Sequence, residues 1–267
     1  MSKELARSAR KRFGQNFLID GRVIDAILAS INASASDTVV EIGPGHGAIT
    51  EGLYTSQCDL TLIELDRDLV AELLAIFVSK SPERCRLINE DVLKVDFTQF
   101  GSPLRIVGNL PYNISTPLLF KLLELGDQIQ DIHVMLQKEV VNRIAAAPGE
   151  SAYGRLGVMI QATARVEPLI DVPPESFAPS PKVDSGVIRI IPDANKRALI
   201  ESMDTLTQVV RQAFSQRRKT LRNNLKDIVS LDEFEVLGIN PQDRPERLSV
   251  ETYVELGNHL GRRERDA

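Results

Sequence analysis

An open, mostly parallel α/β sheet followed by a small helical domain is the fold this sequence predicts, on three observations. Short β-branched runs alternate with helical periodicities from about residue 21 to residue 147. Four successive runs end in groups a ligand can use: a glycine loop, Glu64, Asp91 and Asn109. After Pro192-Asp193-Ala194-Asn195 the pattern turns helical, which places a boundary there and divides the chain into 1–193 and 194–267.

Composition sets the limits. A chain of 267 residues with 43% hydrophobic content builds a sizeable core. The formal net charge of −5 argues against a nucleic-acid binder on average, so local basic clusters carry that question. Cys58 and Cys85 fall within strand patterns, which supports neither a disulfide framework nor a zinc site, and no metal is expected. No apolar run approaches the ~20 residues of a membrane span. The expectation is a soluble cytoplasmic protein with no membrane partner.

The first segment carries Lys3, Arg7, Arg10, Lys11 and Arg12 against Glu4, then passes into Phe13-Gly14-Gln15-Asn16-Phe17-Leu18. A frayed tail is the bland reading; phosphate contact by Arg10, Lys11 and Arg12 followed by a cofactor-facing turn fits the bracketing aromatics better. Val23, Ile24, Ile27, Leu28 and Ile31 recur at helical spacing, predicting a helix over 21–31.

Thr38 to Ile42 reads as a strand, Gly43-Pro44-Gly45-His46-Gly47 as its loop, and Ala48 to Tyr54 as a helix. The third glycine falls one place early for a dinucleotide fingerprint and Pro44 removes an amide, so a pyrophosphate cradle is disfavoured. His46 reads as a tolerated surface residue. The strand Asp59 to Glu64 ends in an acid about 20 residues after Gly43, where a doubly wound fold binds ribose hydroxyls. A helix from about Arg67 to Val78 leads to the strand Arg86 to Asn89 and to Asp91, either an acceptor for an adenine amino group or a strand-end cap.

Leu104 to Val107 is the fourth strand, and it delivers Asn109-Leu110-Pro111-Tyr112. Asn109 offers a carbonyl acceptor, Pro111 stiffens the turn, and Tyr112 offers a ring face for stacking. Taken alone, these four residues read equally well as a plain strand-ending turn. Their convergence with three other strand ends decides for a site, since ligands bind at the carboxyl ends of an open parallel sheet.

Ser115 and Pro117 open a helix, Asp131 to Leu136 supplies a fifth strand, and Lys138 to Ala147 a helix. Leu156 to Val166 and Gly186 to Ile191 are apolar runs expected as the closing strands. The proline-rich stretch Phe177 to Val183 is a rigid connection, or a jaw that sets Phe177 against a base. In the helical part, Ser215 to Asn224 contains Arg217, Arg218, Lys219 and Arg222 with no acid, a second candidate for phosphate contact.

Six segments together carry a family resemblance: Lys11 to Leu18, Glu41 to Gly45, Ile63 to Asp66, Asn109 to Asn113, Leu136 to Val140 and Phe214 to Thr220. The sequence resembles, nearly end to end, the ribosomal RNA adenine N6-dimethyltransferases of the KsgA (RsmA) type. That resemblance implies a class I (Rossmann-like) S-adenosylmethionine-dependent methyltransferase sheet with a small all-helical C-terminal domain. The implied reaction is dimethylation of two adjacent adenines near the 3′ end of 16S rRNA, with the immature small subunit as partner and a single copy of the enzyme. By motif, cofactor contacts fall on Asn16, Leu18, Gly43, Gly45, Glu64, Asp91 and Asn109. Catalysis falls on Asn109, Leu110 and Pro111, with Tyr112 and Phe177 holding the base. A nicotinamide-dependent oxidoreductase, a large-subunit RNA methyltransferase and a non-catalytic RNA-binding relative are the rival readings.

Overall fold

The computed structural model describes residues 15–266 except Tyr112. Arg10, Lys11, Arg12 and Tyr112 therefore lie outside the described residues, as do Phe13 and Gly14.

The predicted alternation is present. β1 (Phe17–Leu18) is followed by α1 (Gly21–Ile31), β2 (Thr38–Ile42), α2 (Thr50–Thr55), β3 (Asp59–Ile63), α3 (Arg67–Ile76), β4 (Cys85–Ile88), β5 (Leu104–Asn109), α4 (Ser115–Glu124) and β6 (Ile129–Gln137). Asp20 and Asp66 start α1 and α3 by accepting from the amides of Arg22 and Asp68. Next come α5 (Lys138–Ala145), α6 (Arg155–Gln161), β7 (Ala164–Val172), β8 (Phe177–Ala178) and β9 (Ser185–Pro192).

The main sheet runs in the order β4-β3-β2-β5-β6-β9-β7. β4 to β6 are parallel to their neighbours, and β9 returns antiparallel to β6. Central strands are buried on both faces, which explains their unbroken apolar runs: Val39, Val40, Leu60, Leu62, Ile106 and Val134 are all fully enclosed. Ile27 and Ile31 of α1, Leu53 of α2 and Leu73 of α3 close the core around Val39, Leu60 and Leu62. At the amino ends of the central strands sits a buried ionic cluster. The Arg105 guanidinium donates to both carboxylate oxygens of Asp131 at 3.0 and 2.9 Å and to the Ile31 carbonyl at 2.6 Å, and pairs with Asp37 at 3.3 Å. Arg189 approaches Asp131 at 3.3 Å, and His133 Nδ1 lies 3.6 Å from the same carboxylate. Burial alone would raise the Asp131 carboxyl, but the His133 ring and Arg105 hold it well below its ordinary value.

One expected strand is a helix. Leu156 to Ile160 are all buried, and a helix enclosed on every side shows no period that separates it from a buried strand. Gly157 is required there, since a Cβ would stand 2.5 Å from the Arg143 carbonyl. The strand itself comes later, at β7, on the edge of the sheet. Its polar, half-exposed residues and Pro168 hid it, and an edge is where a proline is tolerated.

Two compact units divide the chain: 1–141 with 167–192, and 142–166 with 193–267. One division falls between residues 192 and 193, and residues 142–166 group with the helical unit. Hydrogen bonds explain the assignment. Lys196 donates to the carbonyls of Gln161 and Ala164, Asp193 donates its amide to Thr163, and Tyr153 donates its hydroxyl to Leu248. In this unit α7 (Ala194–Ala198), α8 (Met203–Ala213), α9 (Leu221–Leu225), α10 (Leu231–Val236) and α11 (Val250–Asp266) bury Leu206, Val209, Val210, Leu221, Phe234 and Tyr253, among others. No helix among the described residues is long and apolar enough to cross a membrane.

Candidate active site

Register brings four strand ends level. Ile42 of β2 stands opposite both Ile63 of β3 and Gly108 of β5, and Ile63 stands opposite Ile88 of β4. The groups that follow these residues therefore share one edge, and there a cavity of ≈ 390 Å³ opens. Gly43, Gly45, Glu64, Asp91 and Asn109 line it, as does Asn16 from the segment before β1. Apolar walls come from Ile42, Ile63, Leu69 and Val92.

The glycine loop is shaped by left-handed backbone at Gly43, Gly45 and Gly47, with φ of 66°, 61° and 86°. At Gly45 a side chain is excluded twice, because its Cβ would also stand 3.0 Å from the Phe17 ring. The three glycine amides of the loop are committed: Gly43 donates to the Ile63 carbonyl, Gly45 to Glu64 Oε2 at 3.4 Å, and Gly47 to the Pro44 carbonyl. Pro44 has no amide to give. A pyrophosphate therefore finds none of these donors, which removes the basis for a dinucleotide cofactor.

Two carboxyl groups lie beneath that loop. Glu64 is 7% exposed and accepts from the Asp66 amide at 2.8 Å as well as from Gly45; burial raises its pKa. Glu41, two residues before Gly43, is 2% exposed and accepts from Thr50 Oγ1 at 2.7 Å. Burial pushes it up to about 8, with the nearby charge of Glu64 adding to the rise. Asp91 accepts from the Leu93 amide at 3.0 Å, so it is a cap and a cavity residue at once. Lys121 of α4 pins the same loop by donating to the Leu93 and Val95 carbonyls at 2.6 and 2.7 Å.

Asn109 sits at the end of β5 with its side-chain amide oriented by a hydrogen bond from Nδ2 to the Asn16 carbonyl at 3.0 Å. That bond leaves Oδ1 as the accepting end. Leu110 follows, its amide tied to the Met135 carbonyl and its side chain buried, and then Pro111, whose carbonyl accepts from Ile114. Gly108 permits this approach, because a Cβ would stand 2.6 Å from the Ile42 carbonyl.

Two predicted residues are placed elsewhere. Leu18 is 6% exposed and Phe177 4%; they pair across β1 and β8, both join the core, and neither lines the cavity. Phe17, one place earlier, lines the cavity. A two-residue strand alternates its side chains, and a pattern of isolated aromatics does not say which of two neighbours faces in. Gln15 and Phe17, within the segment read as a cofactor-facing turn, also line the cavity, and so does Ile114, an apolar side chain that reads as core.

In the helical unit, Arg218, Lys219 and Arg222 are exposed. Arg217 is exposed too, but it is bonded to the main chain. Its guanidinium donates to the Ser151 and Tyr153 carbonyls at 2.8 and 3.0 Å, so it clamps the loop before α6. Among the described residues no cluster of three or more His, Cys, Asp or Glu suits a metal ion.

The cavity's chemistry fits an amino-acid-bearing nucleoside: acids for hydroxyl and amino donors, apolar walls for a purine, and a loop whose glycine amides are already bonded. Comparisons agree. A profile described as ribosomal RNA adenine dimethylase matches residues 6–261. The chain is 51% identical over 257 residues to ribosomal RNA small subunit methyltransferase A of Shewanella sp. strain MR-7, covering 95% of each. It is 52% identical over 254 residues to the protein of that name from Neisseria meningitidis serogroup A, covering 94% of this chain and 96% of the relative. A dimethyladenosine transferase structure from Plasmodium falciparum matches with a TM-score of 0.81 at 25% identity, over 92% of this chain and 98% of that one. The 23S rRNA methyltransferase ErmE matches with a TM-score of 0.72 at 24% identity, over 92% of this chain and all 100% of its own, a likeness of fold alone.

Proposed function

The chain belongs to the ribosomal RNA adenine dimethylase family, and from that premise we propose that it dimethylates the N6 amino groups of two adjacent adenines in the hairpin near the 3′ end of 16S rRNA. The enzyme is an rRNA adenine methyltransferase that uses S-adenosylmethionine. Its substrate in this reading is the immature small subunit, met by one copy of the enzyme as a late step of assembly. Names of the relatives at 51% and 52% identity support the small subunit over the large one.

The single observation that carries the chemistry is Asn109, its amide oriented by Asn16 and its oxygen left to accept at the cavity. When bound, S-adenosylmethionine supplies an electrophilic sulfonium methyl. Glu64 is the residue to hold its ribose and Asp91 its adenine, with Asn16, Gly43 and Gly45 along the rest of the cavity. An adenine amino nitrogen is a weak nucleophile because its lone pair is delocalised into the ring. Acceptance of its protons by Asn109 Oδ1 and the Leu110 carbonyl favours a pyramidal nitrogen whose lone pair is free to attack. Pro111 stiffens the turn that sets those two oxygens, and Tyr112 supplies a stacking face for an extruded base. Arg10, Lys11, Arg12, Arg218, Lys219 and Arg222 are the phosphate contacts in this reading, while Arg217 supports them through the loop it clamps.

Immature small subunits incubated with the enzyme and S-adenosylmethionine, followed by mass analysis of 16S rRNA fragments, test the proposal. Two neighbouring dimethyladenines near the 3′ end are expected. Asn109→Ala is expected to slow their formation ~10²–10³-fold with cofactor affinity nearly kept, as for loss of one preorganised group that acts on developing charge. Unmodified adenines near the 16S rRNA 3′ end, or wild-type turnover in the variant, overturn it.

A further inference from the structure

His46 read as a tolerated surface residue in the sequence, yet it is joined to two other elements. Its Nδ1 lies 2.9 Å from Glu72 Oε2 on α3. A carboxylate only accepts, so this nitrogen carries the proton and the ring orientation is set. On its other side the imidazole meets the Phe17 ring, with centroids 4.4 Å apart and planes at 62°. Phe17 lines the cavity and lies close enough to Gly45 that a Cβ there would be 3.0 Å from its Cδ1. The phenyl ring thus has the Gly45 backbone and the His46 imidazole as neighbours. Gly45 in turn donates its amide to Glu64.

We propose that His46 is a positioning residue for the cofactor: held by Glu72, it seats Phe17 against Gly45 and so sets the wall of the cavity beside Glu64. Geometry makes the chain of contacts short. Without the imidazole, Phe17 gains freedom to swing away from Gly45, and the cavity widens where the acid must meet a ligand. An aromatic pair in this edge-on arrangement contributes beyond its buried area, and that contribution orders the wall before any ligand arrives. Nothing in this role touches the methyl acceptor, whose binding lies with Asn109 and Leu110. The effect therefore belongs to cofactor affinity and not to turnover.

The inference rests on the cavity being the S-adenosylmethionine site, so the first measurement is calorimetry of the unaltered enzyme with S-adenosylmethionine. Absence of binding there defeats the cofactor reading itself. With binding established, His46→Ala is expected to raise Kd and KM for S-adenosylmethionine by about threefold to tenfold, the range of one aromatic pair, with kcat and the KM for small subunits unchanged. His46→Phe, which keeps an aromatic edge, is expected to recover most of the loss and also guards against a variant that merely folds poorly. In a Phe17→Leu background His46→Ala should add nothing. Unchanged affinity in His46→Ala overturns the proposal, as does an undiminished loss on the Phe17→Leu background. A parallel rise in both KM values would mark a structural effect and overturn it too.

Discussion

The two ends of one sheet treat buried acids in opposite ways. At the amino ends of β5 and β6, Asp131 is fully enclosed, yet it receives the Arg105 guanidinium through two hydrogen bonds and has Arg189 beside it. At the carboxyl ends of β2 and β3, Glu41 and Glu64 are almost as buried, and their hydrogen bonds come from a hydroxyl and two amides. Neither takes part in an ion pair among the described residues. The first arrangement lowers a pKa and the second raises two. Compensation marks a group that holds the fold, whereas Glu64 lies without a cation, among the described residues, at the edge of a cavity.

Substituting acids at either end breaks or sharpens this contrast. Asp131→Asn strands a buried guanidinium, and chemical denaturation is expected to show a loss of ~3–5 kcal/mol. Because the Asp131 pKa is lowered on folding, its contribution is present above the ordinary carboxylate range and shrinks as pH falls, so the gap between wild type and variant should narrow in acid. A loss below ~1 kcal/mol at pH 7 would end its role as a pin.

Glu41→Gln should go the other way. The native protein keeps a proton on Glu41 up to about pH 8, whereas the unfolded chain gives it up near its ordinary value of 4.5. Stability supplied by Glu41 therefore falls as pH rises through that window, and glutamine, which still accepts from Thr50, escapes the penalty. The variant should be more stable at pH 7 by on the order of 3 kcal/mol, with the gain vanishing toward pH 4 and flat above pH 8. Thermal unfolding across pH reads the sign directly, and a destabilised variant would place Glu41 with the structural acids. Smallest is the loss at Glu64. Glu64→Ala should weaken S-adenosylmethionine by ~1.5–3 kcal/mol, since it removes hydrogen bonds to a charged acceptor. Calorimetry showing wild-type affinity would take Glu64 out of the site.

Much of the sheet was legible because its strands are β-branched and end in groups that do not suit a core. The strand-end positions Gly43, Glu64, Asp91 and Asn109 follow from that pattern, and all four line the cavity. Pattern failed where burial erased it or exposure mimicked a loop: α6 is apolar on every side, and β7 carries a proline at the sheet edge. Nor does pattern say which face a short strand turns inward: of two neighbours, Phe17 lines the cavity and the Leu18 side chain joins the core. His46 and Arg217 show a third kind of gap. Their partners, Glu72 in one case and the Ser151 and Tyr153 carbonyls in the other, are far away in the chain, and composition carries no trace of such pairings.

The Arg217 clamp also bears on how such sequences drift. Exposed cations such as Arg218, Lys219 and Arg222 can be exchanged with little cost to the fold, since surface substitutions usually change stability by no more than ~0.5 kcal/mol. Arg217 carries a further cost, because two main-chain carbonyls accept from it. A descendant that has abandoned its RNA would lose the three neighbours first and keep this arginine. Within the basic run, then, the arginine that persists longest is the least informative witness to docking, and the lysine beside it, free to vanish, is the better one.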